Sequence, residues 1–124
     1  DPAYLRILEK ELTDYFQKHM AAGNFLALVA ESEGTILGYG AMVLRCIPGD
    51  LNKASYLEGD ILNMYTLPEY RREGVGSLIL EGLLNLARER GLSKVALHTS
   101  CDGEHLYRSA GFSEPQYPYL ELFL

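Results

Sequence analysis

Thr66-Leu-Pro-Glu-Tyr-Arg-Arg-Glu-Gly-Val-Gly-Ser77 is the stretch whose reading decides the fold, because it joins two patterns of different period. Upstream, residues 54–66 (ASYLEGDILNMYT) alternate as a strand, which puts Asp60, Leu62, Met64 and Thr66 on one expected face and Ile61, Asn63 and Tyr65 on the other. Pro68 stops that strand. Downstream, Val75, Leu78, Ile79, Gly82, Leu83, Leu86 and Arg90 follow a helical period, and Gly91 closes the helix. Between them runs Arg71-x-x-Gly74-x-Gly76. Glycines remove the side chains that would hold a ligand away from the backbone. The first-turn N–H groups of a helix are unpaired donors, with the positive end of the helix dipole behind them. The loop therefore reads as a cradle for an anion, a diphosphate above all. The bare pattern also suits a tight turn whose glycines only relieve strain, and its place between strand and helix favours the cradle. Rival phosphate motifs fail: there is no Gly-x-x-x-x-Gly-Lys-Ser/Thr run, and Gly38-x-Gly40-x-x-Val43 lacks a third glycine and a following helix.

Working outward, Asp1 reads as an N-cap and Pro2 as a first helical residue. Leu5, Leu8, Leu12, Tyr15, Phe16 and His19 then recur at helical spacing, predicting a helix or helix pair to about Ala22. Residues 25–31 (FLALVAE) form a strand, Glu33-Gly34 a turn, and residues 35–45 the hairpin partner, with Gly38 and Gly40 marking a bend or close backbone approach. Residues 48–52 are a loop. Residues 94–99 (KVALHT) are a strand, 103–110 a short helix and 119–124 (YLELFL) a final strand. This order predicts an α/β fold with a mixed sheet and a strand–loop–helix–strand crossover over 54–99.

A chain of 124 residues with 48% hydrophobic and 23% charged residues suits one domain, 1–124. With Lys+Arg 11 against Asp+Glu 17 and a net charge of -6, it lacks the clustered cations that a nucleic-acid groove needs. The longest apolar run, 36–44, is broken by Gly38 and Gly40 and falls far short of the roughly 20 residues that span a membrane. Cys46 and Cys101 do not resemble a disulfide framework, so a cytoplasmic location is expected. The scattered histidines and cysteines, from His19 to His105, make no metal site.

Two ordered segments resemble a known family, the GNAT superfamily of acyl-CoA-dependent N-acyltransferases. NMYTLPEYRREGVGSLILEGLL looks like its fourth strand, pyrophosphate loop and third helix, and LHTSCDGEHLYRSAGF like its fifth strand and the short helix ending in Leu-Tyr-x-x-x-Gly-Phe. The resemblance implies a mostly antiparallel sheet, splayed at a central parallel strand pair and flanked by helices. The family's first strand is expected to be missing, since nothing precedes Asp1. Acetyl-CoA is the implied cosubstrate. The backbone of Met64, Tyr65 and Thr66 would hold its pantetheine arm. Arg71, Arg72, Glu73, Gly74, Val75, Gly76 and Ser77 would hold its pyrophosphate, and Ser100 stands where many members place an asparagine against the cofactor.

The implied reaction is direct attack of a primary amine, of a small molecule or peptide, on a thioester carbonyl. Three groups are needed. A backbone N–H near Met64, freed by a strand bulge, would meet the oxyanion. Tyr107, otherwise readable as a core aromatic beside Leu106 and Phe112, matches the family's general acid for the leaving thiolate and would also touch the cofactor. Asp60 matches the place where histone-type members carry a glutamate base. As a carboxylate it needs desolvation or a water to act so, and the alternative is a charge that attracts a cationic amine; Glu58 is a second candidate. His98 suits proton transfer by its side-chain type but sits in the predicted strand and reads as a packed histidine. The class expected is an acetyl-CoA-dependent N-acetyltransferase, the alternative being a non-catalytic acyl-CoA-binding or sensor domain of the same fold. Leu120, Leu122 and Leu124 on the terminal strand offer a surface for pairing as a homodimer.

Overall fold

The computed structural model describes residues 4–7 and 24–124, the first group as backbone. Five strands form one sheet in chain order: β1 (Tyr4–Ile7), β2 (Phe25–Ser32), β3 (Thr35–Pro48), β4 (Ser55–Thr66) and β5 (Lys94–Leu97). The first three junctions are antiparallel and β4–β5 is parallel. Helices α1 (Val75–Glu89) and α2 (Glu104–Ser109) flank β5 in sequence, and a 3-10 turn, Pro68–Tyr70, follows β4.

The hairpin of β2 and β3 forms where expected, turning at Glu33 and Gly34, both in left-handed backbone. Its β2 is buried on both faces because α1 covers the Leu26, Leu28 and Ala30 side, while Phe25 and Ala27 pack with Ala41 and Val43 on the other. Helix α1 buries Val75, Ile79, Leu80, Leu83 and Ala87, the stripe its period requires. Burial of the valine, leucine and isoleucine side chains contributes about 1.5–3 kcal/mol each. Gly38 and Gly40 are the close approach that the sequence signals: a Cβ on Gly40 would stand 2.6 Å from Ile79 and 3.1 Å from Leu83. The helix ends in a Schellman motif, with Leu92 N–H donating to Ala87 C=O and Gly91 N–H to Arg88 C=O, while Gly91 adopts φ 71°. That turn delivers Leu92 onto Gly59 of β4 and starts β5 beside it.

Three expectations are corrected. Residues 4–7, read as helix, are a strand paired with 28–31 of β2, so the first strand of the sheet is present rather than missing. The unpaired edge of β2 supplies hydrogen-bond partners that a local helical period cannot register. The rest of that helix, 8–22, lies outside the described residues. Residues 119–124 form no strand. Leu120, Leu122 and Phe123 stand 90%, 83% and 89% exposed, because strand propensity without a partner edge makes no ladder. Among the described residues the parallel pair thus sits at the end of the sheet instead of its centre.

The third correction concerns β4. Its register against β3 shifts between Ala41 and Met42: Ala41 pairs with Asn63 and Met42 with Ile61, so Leu62 is the extra residue of a bulge. Side-chain parity reverses there. Met64 pairs with Gly40 and lies on the α1 side, its sulfur beside the position of a Gly40 Cβ, whereas Asp60 pairs with Val43 and bonds Arg45 on the opposite face. Asp60 and Met64 do not share a face.

Candidate active site

β4 and β5 pair only from Glu58↔Lys94 to Ile61↔Leu97. Beyond this, β4 runs on to Thr66 against β3, while residues 98–100 turn away toward α2. A cleft of about 1120 Å³ opens in the gap. Its β4 wall is Ile61, the last residue paired with β5, and then Leu62, Met64, Tyr65 and Thr66, whose edge away from β3 has no ladder partner among the described residues.

The far end of the cleft is the glycine loop. Tyr70, Arg71, Arg72, Gly74, Val75, Gly76 and Ser77 line it. The loop turns through two left-handed residues, Arg72 at φ 67° and Gly74 at φ 83°. For arginine this costs roughly 1–2 kcal/mol, a strain that the surrounding chain must hold in place. Gly74 is the N-cap of α1 and supplies no side-chain cap; the first intrahelical bond is Leu78 N–H to Gly74 C=O. Helix geometry therefore leaves the N–H groups of Val75, Gly76 and Ser77 without an intrahelical acceptor. Nothing lies within 4 Å of a Cβ built on Gly74. Arg71 braces the loop: its Nε donates to Thr66 C=O at 3.1 Å and its guanidinium lies 5.6 Å from the Tyr65 ring centroid, a cation–π contact.

The opposite wall is Leu97, His98, Thr99, Ser100, Asp102 and Gly103, followed by α2 residues His105, Leu106, Tyr107 and Ser109. Ser100 shapes the entry to α2, its Oγ accepting from Gly103 N–H at 3.3 Å. Tyr107 is half-buried. Its ring meets Phe112 edge-on at 6.0 Å and packs on the core, so the core-aromatic reading is partly true. The ring edge at Cε2, next to the hydroxyl-bearing carbon, borders the cleft: a Cβ on Gly103 would lie 3.2 Å from it and 3.1 Å from Thr99 Oγ1. Burial raises the phenol above its ordinary value of 10, which keeps it protonated and able to donate at neutral pH.

The structure thus brings together Met64, Tyr65, Thr66, Arg71, Arg72, Gly74, Val75, Gly76, Ser77, Ser100 and Tyr107 around one cleft. Glu73 and Asp60 are not in its lining. Asp60 is held by Arg45 through Nε and, at 3.3 Å, Nη2, while Glu58 binds Arg45 at 3.3 Å and Lys94 at 3.5 Å. His98, read from the sequence as a packed mid-strand histidine, instead lines the cleft; the end of β5 one residue earlier, at Leu97, leaves it exposed. Among the described residues no helix is long and apolar enough to cross a membrane.

Solved structures share this architecture. A predicted acetyltransferase from Clostridium acetobutylicum, crystallised with acetyl-CoA, superposes with a TM-score of 0.83 at 23% identity over 98% of this chain and 96% of its own. The glucosamine-6-phosphate N-acetyltransferase of Arabidopsis thaliana superposes with a TM-score of 0.78 at 19% identity over 99% of both chains. At these identities the likeness is one of fold. In sequence, an uncharacterized N-acetyltransferase of Archaeoglobus fulgidus is 28% identical over 94% of this chain and 78% of its own length. N-acetyltransferase family 8 member 7 of Mus musculus is 29% identical over 94% of this chain, which spans only 52% of that protein. The profile of the Acetyltransferase (GNAT) family matches residues 2–112, nearly all of the chain. With the splayed strand pair, the glycine loop at the helix N-terminus and Tyr107 across the cleft, that match makes this chain a member of the GNAT acetyltransferase family.

Proposed function

We propose that residues 1–124 act as a single N-acetyltransferase domain that moves an acetyl group from acetyl-CoA to a primary amine by direct attack, both substrates being bound together. The observation that carries this reading is the convergence on one cleft of a backbone anion cradle, an unpaired strand edge and a protonated tyrosine. The N–H groups of Val75, Gly76 and Ser77, with Arg72 beside them, suit the pyrophosphate; the cleft-facing edge of 62–66 suits the amide-bearing pantetheine arm as an added strand. The Leu62 bulge interrupts the ladder next to Met64, where a backbone donor is wanted for the oxyanion.

The amine nitrogen bonds to the thioester carbonyl carbon, the C–S bond breaks, and the thiolate takes the phenol proton of Tyr107. The tyrosinate then takes a proton from the nitrogen of the newly formed amide. A thiol of pKa about 8.5 is a fair leaving group, so the donor lowers the barrier without having to supply all of it. Asp60 and Glu58, balanced by Arg45 and Lys94 outside the cleft lining, are assigned no part in proton transfer. Calorimetry with acetyl-CoA and with CoA tests the binding half, with similar affinities expected because phosphates and pantetheine offer most of the contacts. Thiol-detected CoA release across a panel of primary amines tests the transfer half. Binding without release from any amine supports a sensor domain, and no binding overturns the reading.

A further inference from the structure

We infer that His98 is the proton acceptor for the amine substrate, an assignment that rests on the acetyltransferase reading above. On β5, Val95 and Leu97 pack against the core beneath α1, whereas Lys94 reaches Glu58 on the opposite face. His98 is the first residue after the last rung, Leu97, where the chain leaves β4. There it is exposed, lines the cleft, and lies next to the point where β4 and β5 part.

The other charged groups near the parting point are already engaged. Asp60 is bound by Arg45, and Glu58 is shared between Arg45 and Lys94. A carboxylate already paired with a guanidinium or ammonium group is a poor acceptor for an ammonium proton. Of the cleft groups at α2, Tyr107 is held protonated as the acid, and Asp102 and His105 stand with it on that opposite wall. From the C-terminal segment, Tyr119 faces His98 with ring centroids 6.4 Å apart, and its hydroxyl donates to Glu121 at 3.3 Å. That edge contact restrains the imidazole ring without occupying the cleft. An imidazole ring nitrogen carries a lone pair that accepts a proton directly.

The balance is simple. The ammonium gives one proton to the neutral imidazole of His98, the free amine attacks the thioester carbon, and CoA leaves as thiolate, protonated by Tyr107. The imidazolium returns its proton to solvent, so each turnover yields amide, thiol and one proton.

The test is the pH profile of kcat/KM for spermidine, a lysine-containing peptide and glucosamine with saturating acetyl-CoA, for the wild type, His98→Gln and Asp60→Asn. The wild type should show an acidic limb in this profile. His98→Gln should lose that limb, drop about 10²-fold or more at pH 7, recover as pH rises toward the amine's own pKa, and regain rate with added imidazole. Its acetyl-CoA affinity by calorimetry should match the wild type. Independently of any variant, the His98 ring proton followed by NMR should titrate within half a unit of the kinetic limb. An unchanged limb in His98→Gln, a limb lost instead in Asp60→Asn, or an NMR titration a unit away would overturn the assignment while leaving acetyl transfer standing. A wild type that neither binds acetyl-CoA nor releases CoA overturns both readings.

Discussion

The two edges of β4 do opposite work. Toward β3 the strand pairs along its whole length, from Ser55 to Thr66, and α1 presses the joint from one side so closely that Gly38 and Gly40 have no room for a side chain. Toward β5 it pairs through four residues and then stands open beside a cleft. One edge is satisfied by protein; the other is open, and under the proposed function it takes the pantetheine arm. Substitutions on the first should therefore cost stability, and substitutions around the second should cost binding or turnover in a protein that still folds.

Tyr107→Phe should produce the largest effect and it tests the open edge. Turnover is expected to fall by roughly 10²–10⁴-fold, the usual range for a lost proton donor, with acetyl-CoA affinity little changed. The ring contact with Phe112 survives, and the hydroxyl has no hydrogen-bond partner among the described residues, so the melting temperature should hardly move. Because burial raises the phenol, the wild type's activity should persist past the ordinary tyrosine pKa of 10 before the donor is lost. The stability linked to that burial is complete below pH 10 and fades only as pH climbs toward the raised value. A fully active Tyr107→Phe would leave Tyr107 a core aromatic; a variant that unfolds would show that the open edge is structural too, which breaks the contrast.

A matched pair sharpens it further. Gly40→Val overfills the closed side, where even a Cβ meets Ile79 and the Met64 sulfur at 2.6 and 2.7 Å, and should cost about 1–3 kcal/mol in denaturant unfolding. Gly76→Ala adds its methyl at 3.4 Å from Leu106, an ordinary contact, in a helix that gains up to ~1 kcal/mol from the exchange. Stability should hold or rise while acetyl-CoA affinity, read by calorimetry, falls on the order of tenfold, about 1.4 kcal/mol for one impaired charge-assisted bond. Equal stability losses in both variants would mean that the loop glycines serve packing.

The same contrast explains what could be read in the sequence. The closed half announces itself: α1's apolar stripe, the β2–β3 hairpin and the paired glycines each rest on local rules of period and sterics. The glycine loop and Tyr107 were legible because their spacing to strand and helix is short and fixed. The bulge at Leu62 was not, since only the partner strand decides where an alternating run slips, and that slip moved Asp60 away from the Met64 side. Residues 4–7 and 119–124 fail in mirror image. The first has a helical period overruled by an available sheet edge, the second a strand pattern with no edge to join. His98 needed knowledge of where β5 ends, which a four-residue strand does not reveal.

The smallest predicted effect concerns how the open side is held. Where α1 is fixed by packing, α2 is tied to the following segment by exposed ion pairs, Arg108 bonding Glu104 four residues back and Glu114 beyond the helix. Arg108 is the first cause of a Glu114 pKa lowered from 4.5 to about 2. A depressed carboxylate contributes its stability above pH 4.5 and loses it as pH falls through about 2, so the pair should weaken across that window. Full exposure and salt screening keep the contribution small. Melting temperatures measured between pH 5 and 2 at low salt should fall less steeply for Glu114→Gln than for the wild type, and 1 M salt should bring the two curves together. Curves that coincide at low salt would mean that the ion pair does not hold α2, and that the packing of Leu106, Tyr107 and Phe112 on the core secures this side of the cleft as it does the other.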